Sequence, residues 1–109
     1  MKNKIKHHLD YFKEILLENA EIIKNKYQIS KLGIFGSYAD GDETEESDLD
    51  IIVSFNDNYT DKLTLFFVGG VQSYLSELLD INVDLVLHNE MDSKPELKEI
   101  ILKQVRYII

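Results

Sequence analysis

Asp48 and Asp50 stand one residue apart, and ten residues separate Asp48 from the pair Gly36-Ser37. A third aspartate, Asp84, interrupts the apolar run from Ile81 to Leu87. Side chains of a β-strand alternate between its faces, so Asp48 and Asp50 project side by side while Leu49 turns to the core. Two such carboxylates reach the same cation or cation pair. Mg2+ takes oxygen ligands of this kind together with phosphate oxygens, and Mn2+ satisfies the same set. Paired cations suit in-line displacement at a phosphorus, because they activate the attacking oxygen and neutralise the leaving pyrophosphate. Asp84, on a strand beside the first, would hold metal or orient and deprotonate the attacking hydroxyl. Gly36 allows a backbone to approach a phosphate closely, and the Ser37 hydroxyl with nearby N–H groups can bind its oxygens. Taken singly, Asp-x-Asp is often a solvated strand end and Gly-Ser an ordinary turn. The combination is far more specific.

Several elements must position these residues. From about Lys4 to Lys26, Ile5, Leu9, Phe12, Leu16 and Ile23 recur at helical spacing, with His8, Ile15 and Ile22 widening the stripe. Lys6, Lys13, Glu14, Glu18, Glu21 and Lys24 give that helix a solvated face. Residues 29–35 read as a strand meeting the Gly36-Ser37 turn, and the acidic stretch 42–47 as a loop. Residues 48–55 form the next strand, with Leu49, Ile51, Val53 and Phe55 on one face and Asp48, Asp50, Ile52 and Ser54 on the other. Thr60 or Asp61 is placed to cap a second helix running to about Leu79, with Leu63, Phe66, Phe67, Val71, Tyr74, Leu75 and Leu78 as its buried stripe. Gly69-Gly70 within it suggests close packing against another backbone. Residues 81–87 alternate as a third strand, with Asn82, Asp84 and Val86 on one side and Val83, Leu85 and Leu87 on the other. Ser93 and Glu96 have the spacing of a capping box ahead of a closing helix, whose stripe is Leu97, Ile101, Val105 and Ile108. Arg106 is then a cation near a helix C-terminus, Tyr38 a packing residue, and His7, His8 and His88 surface or core-edge residues rather than ligands.

Composition limits the alternatives. A chain of 109 residues has room for one domain, residues 1–109, and its 44% hydrophobic and 29% charged content is that of a folded protein. So small a domain is marginally stable alone, and a homo- or hetero-oligomeric partner would supply further burial. No cysteine is present, which excludes disulfides and thiolate metal sites. No apolar run reaches the length of a membrane span and no signal core follows the basic start, so a cytoplasmic protein is expected. A net charge of −8 opposes a nucleic-acid partner.

The whole pattern, Gly36-Ser37-Tyr38-Ala39-Asp40-Gly41 followed by Ser47-Asp48-Leu49-Asp50 and the later Asp84, resembles the signature of the DNA-polymerase-β-like nucleotidyltransferase superfamily. It is most similar to the minimal subgroup, the MNT proteins, and the likeness covers nearly the whole chain. The resemblance implies an α/β (α+β) nucleotidyltransferase fold, a small mixed β-sheet packed against helices. It implies that Gly36 and Ser37 bind the triphosphate, that Asp48 and Asp50 hold metal, and that Asp84 completes the carboxylate set. It further implies an antitoxin that transfers AMP from ATP to a tyrosine of a HEPN-type toxin. The chain departs from the family pattern at Asp40, where a basic residue is common. Two alternatives follow: an antitoxin that neutralises its partner by binding alone, and transfer to a small-molecule hydroxyl, for which family members usually carry an added domain.

Overall fold

The computed structural model describes residues 8–109, with the backbone alone for residues 60–62. The start of the predicted first helix, with Lys4, Ile5, Lys6 and His7, lies outside the described residues, as do the side chains of Thr60 and Asp61. The elements are α1 (Leu9–Glu18), α2 (Ala20–Asn25), β1 (Ile29–Phe35), α3 (Ser37–Asp40), β2 (Leu49–Phe55), α4 (Leu65–Leu79), β3 (Val83–Leu87), α5 (Pro95–Gln104) and β4 (Arg106–Tyr107). Short 3-10 helices occupy Asp57–Lys62 and His88–Ser93.

The predicted first helix is broken in two. Asn19 turns its side-chain amide onto the Ile15 carbonyl at 2.9 Å, which competes with the helical backbone and separates α1 from α2. The stripe survives the break, since Phe12, Leu16 and Ile23 are all buried.

The four strands make one mixed sheet in the order β3-β2-β1-β4, as the expected fold class requires. β1 pairs antiparallel with β2 and β4, and β2 pairs parallel with β3. Alternation places Leu49, Ile51, Val53 and Phe55 in a core with Leu32, Ile34 and the buried residues of α1, α2 and α4. On the opposite face Ile52 packs with Phe35, Met91 and Ile101, flanked by Val86 and Val105. The predicted faces of β2 and β3 are those observed.

Several expectations fail at helix ends. The 3-10 helix Asp57–Lys62 occupies the region where Thr60 or Asp61 was expected to cap, and α4 instead begins after Thr64, whose hydroxyl accepts from the Phe67 N–H at 3.1 Å. Val71, Leu75 and Leu79 define the inner face of α4, leaving Phe66 94% exposed. Gly69 and Gly70 meet no neighbour, since a Cβ on either would find nothing within 4 Å, so they are not sites of close packing. Ser93 donates to the Glu90 carbonyl at 3.1 Å instead of capping α5, whose N-cap is Lys94. The closing helix also stops early. Val105 adopts extended dihedrals, and residues 106–109 run beside β1, with the Ile108 N–H donating to the Leu32 carbonyl at 2.8 Å. Val105 and Ile108 therefore leave the helical stripe and Arg106 joins β4, and Gly33 makes room for this edge: a Cβ there would collide with Val105 Cγ2.

Exposure separates two apolar residues of α4 sharply. Phe66→Ala is expected to change stability by less than about 0.5 kcal/mol, the scale of surface substitutions. Leu75→Ala, at a fully buried position, is expected to cost about 2–5 kcal/mol. Urea unfolding of both variants checks this, and comparable losses would contradict the observed rotation of α4.

Candidate functional site

Asp48, Asp50 and Asp84 come together through strand register. The parallel pairing of β2 with β3 sets Asp50 directly opposite Asp84, one step along from Leu49 opposite Val83. The register is fixed at the strand starts, where the Leu49 N–H donates to the Asn82 carbonyl at 2.9 Å. The Ser76 hydroxyl accepts from the Val83 N–H at 3.2 Å. Asp80, with a left-handed φ of 52°, ends α4 and turns the chain into β3. Ahead of β2, Thr44 and Ser47 close a small turn, with the Thr44 N–H donating to the Ser47 hydroxyl at 2.9 Å. That turn delivers Asp48 to the start of β2, an inner strand of the sheet.

Asp50 is half-buried, whereas Asp48 and Asp84 are exposed. Burial pushes the Asp50 carboxyl up to about 6, with the negative charges of Asp84 and then Asp48 adding to the rise. The Asp50 carboxyl thus feels the charge of both neighbours. Among the described residues no ion pair or hydrogen bond engages any of their side chains.

Gly36 completes the arrangement from the end of β1. Its φ of 73° and ψ of −151° lie in a region open essentially to glycine alone. A Cβ at this position would overlap the Asp50 carboxylate, so the bare backbone of Gly36 lies directly against it. Ser37 then opens the four-residue helix α3, where a turn was expected through Gly41, and the Gly36 carbonyl accepts from the Ala39 and Asp40 N–H groups, each at 3.1 Å. Every predicted site residue is therefore on one side of the sheet or at the β1–α3 junction beside it.

A divalent cation can be tested against these residues. Among the described residues no group of three or more His, Cys, Asp or Glu side chains is arranged to hold a metal ion. The donor set is instead an open one, all oxygen, with an uncompensated half-buried carboxylate at its centre. Mg2+ is characteristically held by one or two carboxylates while phosphate oxygens and waters fill the remaining positions, so the residues fit an ion that arrives with a nucleotide.

The raised Asp50 pKa has a thermodynamic signature in the metal-free protein. The folded chain holds this proton more tightly than the unfolded chain, so the Asp50 contribution to stability is greatest below the ordinary aspartate range and is lost as pH rises through about 6. Thermal unfolding of wild type and Asp50→Asn across about pH 4–7 should show wild type losing ground to the variant as pH rises. A difference independent of pH would contradict the repulsive cluster.

A cleft of about 390 Å³ beside α3 escaped the sequence analysis. His8, Asp10, Tyr38, Asp40, Glu43 and Arg106 line it, and none of Asp48, Asp50 and Asp84 does. His8 Nδ1 lies 2.7 Å from Glu43 Oε2 across 35 positions of sequence, and no local pattern announces such a pair. The Asp40 carboxylate, at the end of α3, accepts from the Gln104 amide at 3.0 Å, a partner remote in sequence. Burial and the Glu43 charge raise the pKa of the Tyr38 phenol.

Comparison with known proteins places this geometry in a family. The nucleotidyltransferase domain matches residues 9–108. A Methanocaldococcus jannaschii protein named as a candidate protein adenylyltransferase is 37% identical over 100 residues, covering 92% of this chain and 97% of its own. The protein adenylyltransferase MntA of Thermococcus cleftensis is 30% identical over 100 residues, covering 92% and 95%. Among solved structures, a minimal nucleotidyltransferase superposes with a TM-score of 0.68 at 25% identity, over 94% of this chain and 98% of that one. The MNT antitoxin complex with the tri-AMPylated HEPN toxin of Shewanella oneidensis shares the fold, with a TM-score of 0.56 at 23% identity over 87% of this chain and 71% of that chain. With a carboxylate-bearing mixed sheet, a glycine pressed against its central aspartate, and this span of matched sequence, the chain belongs to the nucleotidyltransferase family and is an enzyme of that class.

Proposed function

We propose that this nucleotidyltransferase moves AMP from ATP to a tyrosine hydroxyl of a HEPN-type toxin and so acts as its antitoxin, with Asp48, Asp50 and Asp84 as metal ligands and Gly36 and Ser37 at the triphosphate. The observation that carries the reading is the Asp50–Asp84 register pair with Gly36 packed against Asp50. The partner assignment draws support from the MntA relative and from the fold shared with the MNT antitoxin of a HEPN toxin complex.

In the proposed reaction the acceptor oxygen attacks the α-phosphorus, the bond from that phosphorus to the bridging oxygen breaks, and pyrophosphate departs. Mg2+, or Mn2+ in its place, would supply charge neutralisation for the phosphate oxygens and lower the pKa of the attacking hydroxyl. Asp48 and Asp50 would hold the ion. Asp84 completes the set and orients the hydroxyl, or takes up its proton. The Gly36 backbone leaves space for phosphate against the carboxylates, and the Ser37 hydroxyl donates to a phosphate oxygen.

Incubation with ATP, Mg2+ and the protein encoded beside this chain tests the acceptor. Intact-mass measurement should show adenylylation of the partner, abolished by chelation of the metal and by Tyr→Phe replacement of the modified residue. A stable complex that silences the toxin with no change of mass would instead establish neutralisation by contact.

A further inference from the structure

The face of β3 that carries Asp84 presents a second polar side chain, beyond those assigned to transfer. Ile81 and Val83 both pack against the core that holds Leu49, and Asn82 between them is exposed. Alternation therefore sets Asn82 on the same face as Asp84. The parallel register joins Leu49 to Val83 and Asp50 to Asp84, so one step back along both strands Asn82 stands beside Asp48. Neighbouring strands lie about 4.8 Å apart, which puts the Asn82 amide within reach of a molecule seated on the carboxylates. Local structure does not account for the residue. The left-handed turn before β3 is made by Asp80, and Asn82 has no positive φ. Its carbonyl accepts from the Leu49 N–H, a bond any residue type would make, and among the described residues its side-chain amide has no hydrogen-bond partner.

Sheet order decides which substrate that amide meets. β2, with Asp48 and Asp50, lies between β1 and β3. Gly36 and Ser37 follow β1, where Phe35 pairs with Asp50, so the residues proposed for the triphosphate stand on one side of the carboxylates. Asn82 and Asp84 stand on the other. In-line displacement sets the attacking oxygen and the leaving pyrophosphate on opposite sides of the α-phosphorus. With the pyrophosphate towards β1, attack comes from the β3 side. We propose that Asn82 is an acceptor-binding residue of the transfer site, its amide hydrogen-bonding a peptide group beside the reacting hydroxyl. The side chain suits a peptide, since it offers an acceptor oxygen and two N–H donors, and a peptide offers an N–H and a carbonyl in return. Being neutral, it adds no fourth negative charge to Asp48, Asp50 and Asp84. The inference rests on the transfer site and protein acceptor proposed above, and adds to them a residue that binds the acceptor.

Two measurements separate the sides of the site: steady-state transfer from ATP and Mg2+ to the protein encoded beside this chain, and binding of α,β-methylene-ATP with Mg2+ in the absence of acceptor. Asn82→Ala is expected to raise KM for the acceptor roughly three- to tenfold, the scale of a hydrogen bond, with kcat little changed and the analogue bound as by wild type. Asn82→Asp, which keeps the size but removes the N–H donors, should raise KM at least as much. Ser37→Ala supplies the converse, weaker binding of the analogue with the acceptor KM unchanged. Because Asn82 is exposed and free of backbone strain, both of its variants should melt as wild type does. A wild type that transfers while Asn82→Ala shows an unchanged acceptor KM would overturn the inference and leave the reaction standing. Weaker analogue binding by Asn82→Ala, equal to its loss of transfer, would also overturn it by putting Asn82 at the triphosphate. A wild type that binds the analogue yet transfers nothing to the protein would remove the proposed acceptor and, with it, this role for Asn82.

Discussion

Asp50→Asn is expected to reduce nucleotidyl transfer on the order of a thousandfold while leaving the metal-free fold as stable as wild type or firmer above about pH 6. Both effects have one cause. Asp50 is half-buried between Asp84 and Asp48, and its carboxyl resists ionisation for that reason. Asparagine keeps the shape and removes the charge, so the repulsion disappears together with a proposed ligand. The opposite signs of the two changes are the distinguishing feature, since a merely structural role would lower stability and activity together. Circular-dichroism melts at neutral pH, paired with transfer assays, read both. A variant that transfers at near wild-type rate, or that melts well below wild type at this pH, would contradict the assignment.

Gly36→Ala is expected to lower transfer by at least about a hundredfold and to destabilise the fold by about 2–4 kcal/mol, since two costs combine at one atom. The backbone dihedrals there suit glycine alone, and the added methyl would occupy the space of the Asp50 carboxylate. Relief requires Asp50 to turn away from Asp84 or β1 to separate from α3, and either movement dismantles the site. Gly41→Ala supplies the comparison. Gly41 also has a positive φ, of 80°, but a Cβ there meets nothing within 4 Å. Its substitution should cost about 1–2 kcal/mol and spare the transfer rate. Equal loss of transfer in the two variants would show that the left-handed backbone, rather than the approach to Asp50, is what matters at Gly36.

The elements that place the carboxylates were legible because β2 and β3 alternate cleanly. Leu49 and Ile51 point one way and Asp48 and Asp50 the other, and period-two patterning fixes such faces without reference to the rest of the fold. What alternation does not contain is which strand lies beside which, so the pairing of Asp50 with Asp84 became visible only in the sheet register. The C-terminal segment misled for a different reason. Val105 and Ile108 continue the spacing of Leu97 and Ile101, yet Val105 turns into an extended conformation and Arg106–Tyr107 adds to the edge of β1. The signal lay in β1 rather than in the segment itself, since Gly33 is the residue whose missing side chain admits that edge. In α4 the predicted stripe holds at Val71 and Leu75, with Leu63, Phe67, Tyr74 and Leu78 packed against the core, and fails only at Phe66, because hydrophobicity alone does not say where the first turn of a helix begins. The His8–Glu43 pair was beyond local inference altogether, because only the folded chain brings α1 to the loop after α3.

The most direct measurement is transfer of radiolabelled AMP from ATP to the protein encoded beside this chain, the proposed acceptor, comparing wild type with the Asp48→Asn/Asp50→Asn double variant. The account predicts metal-dependent label on the partner with wild type and none above background with the double variant, while both retain the fold. Label of equal intensity from the folded double variant would contradict the carboxylate site, and tight binding with no label from wild type would contradict transfer to that partner.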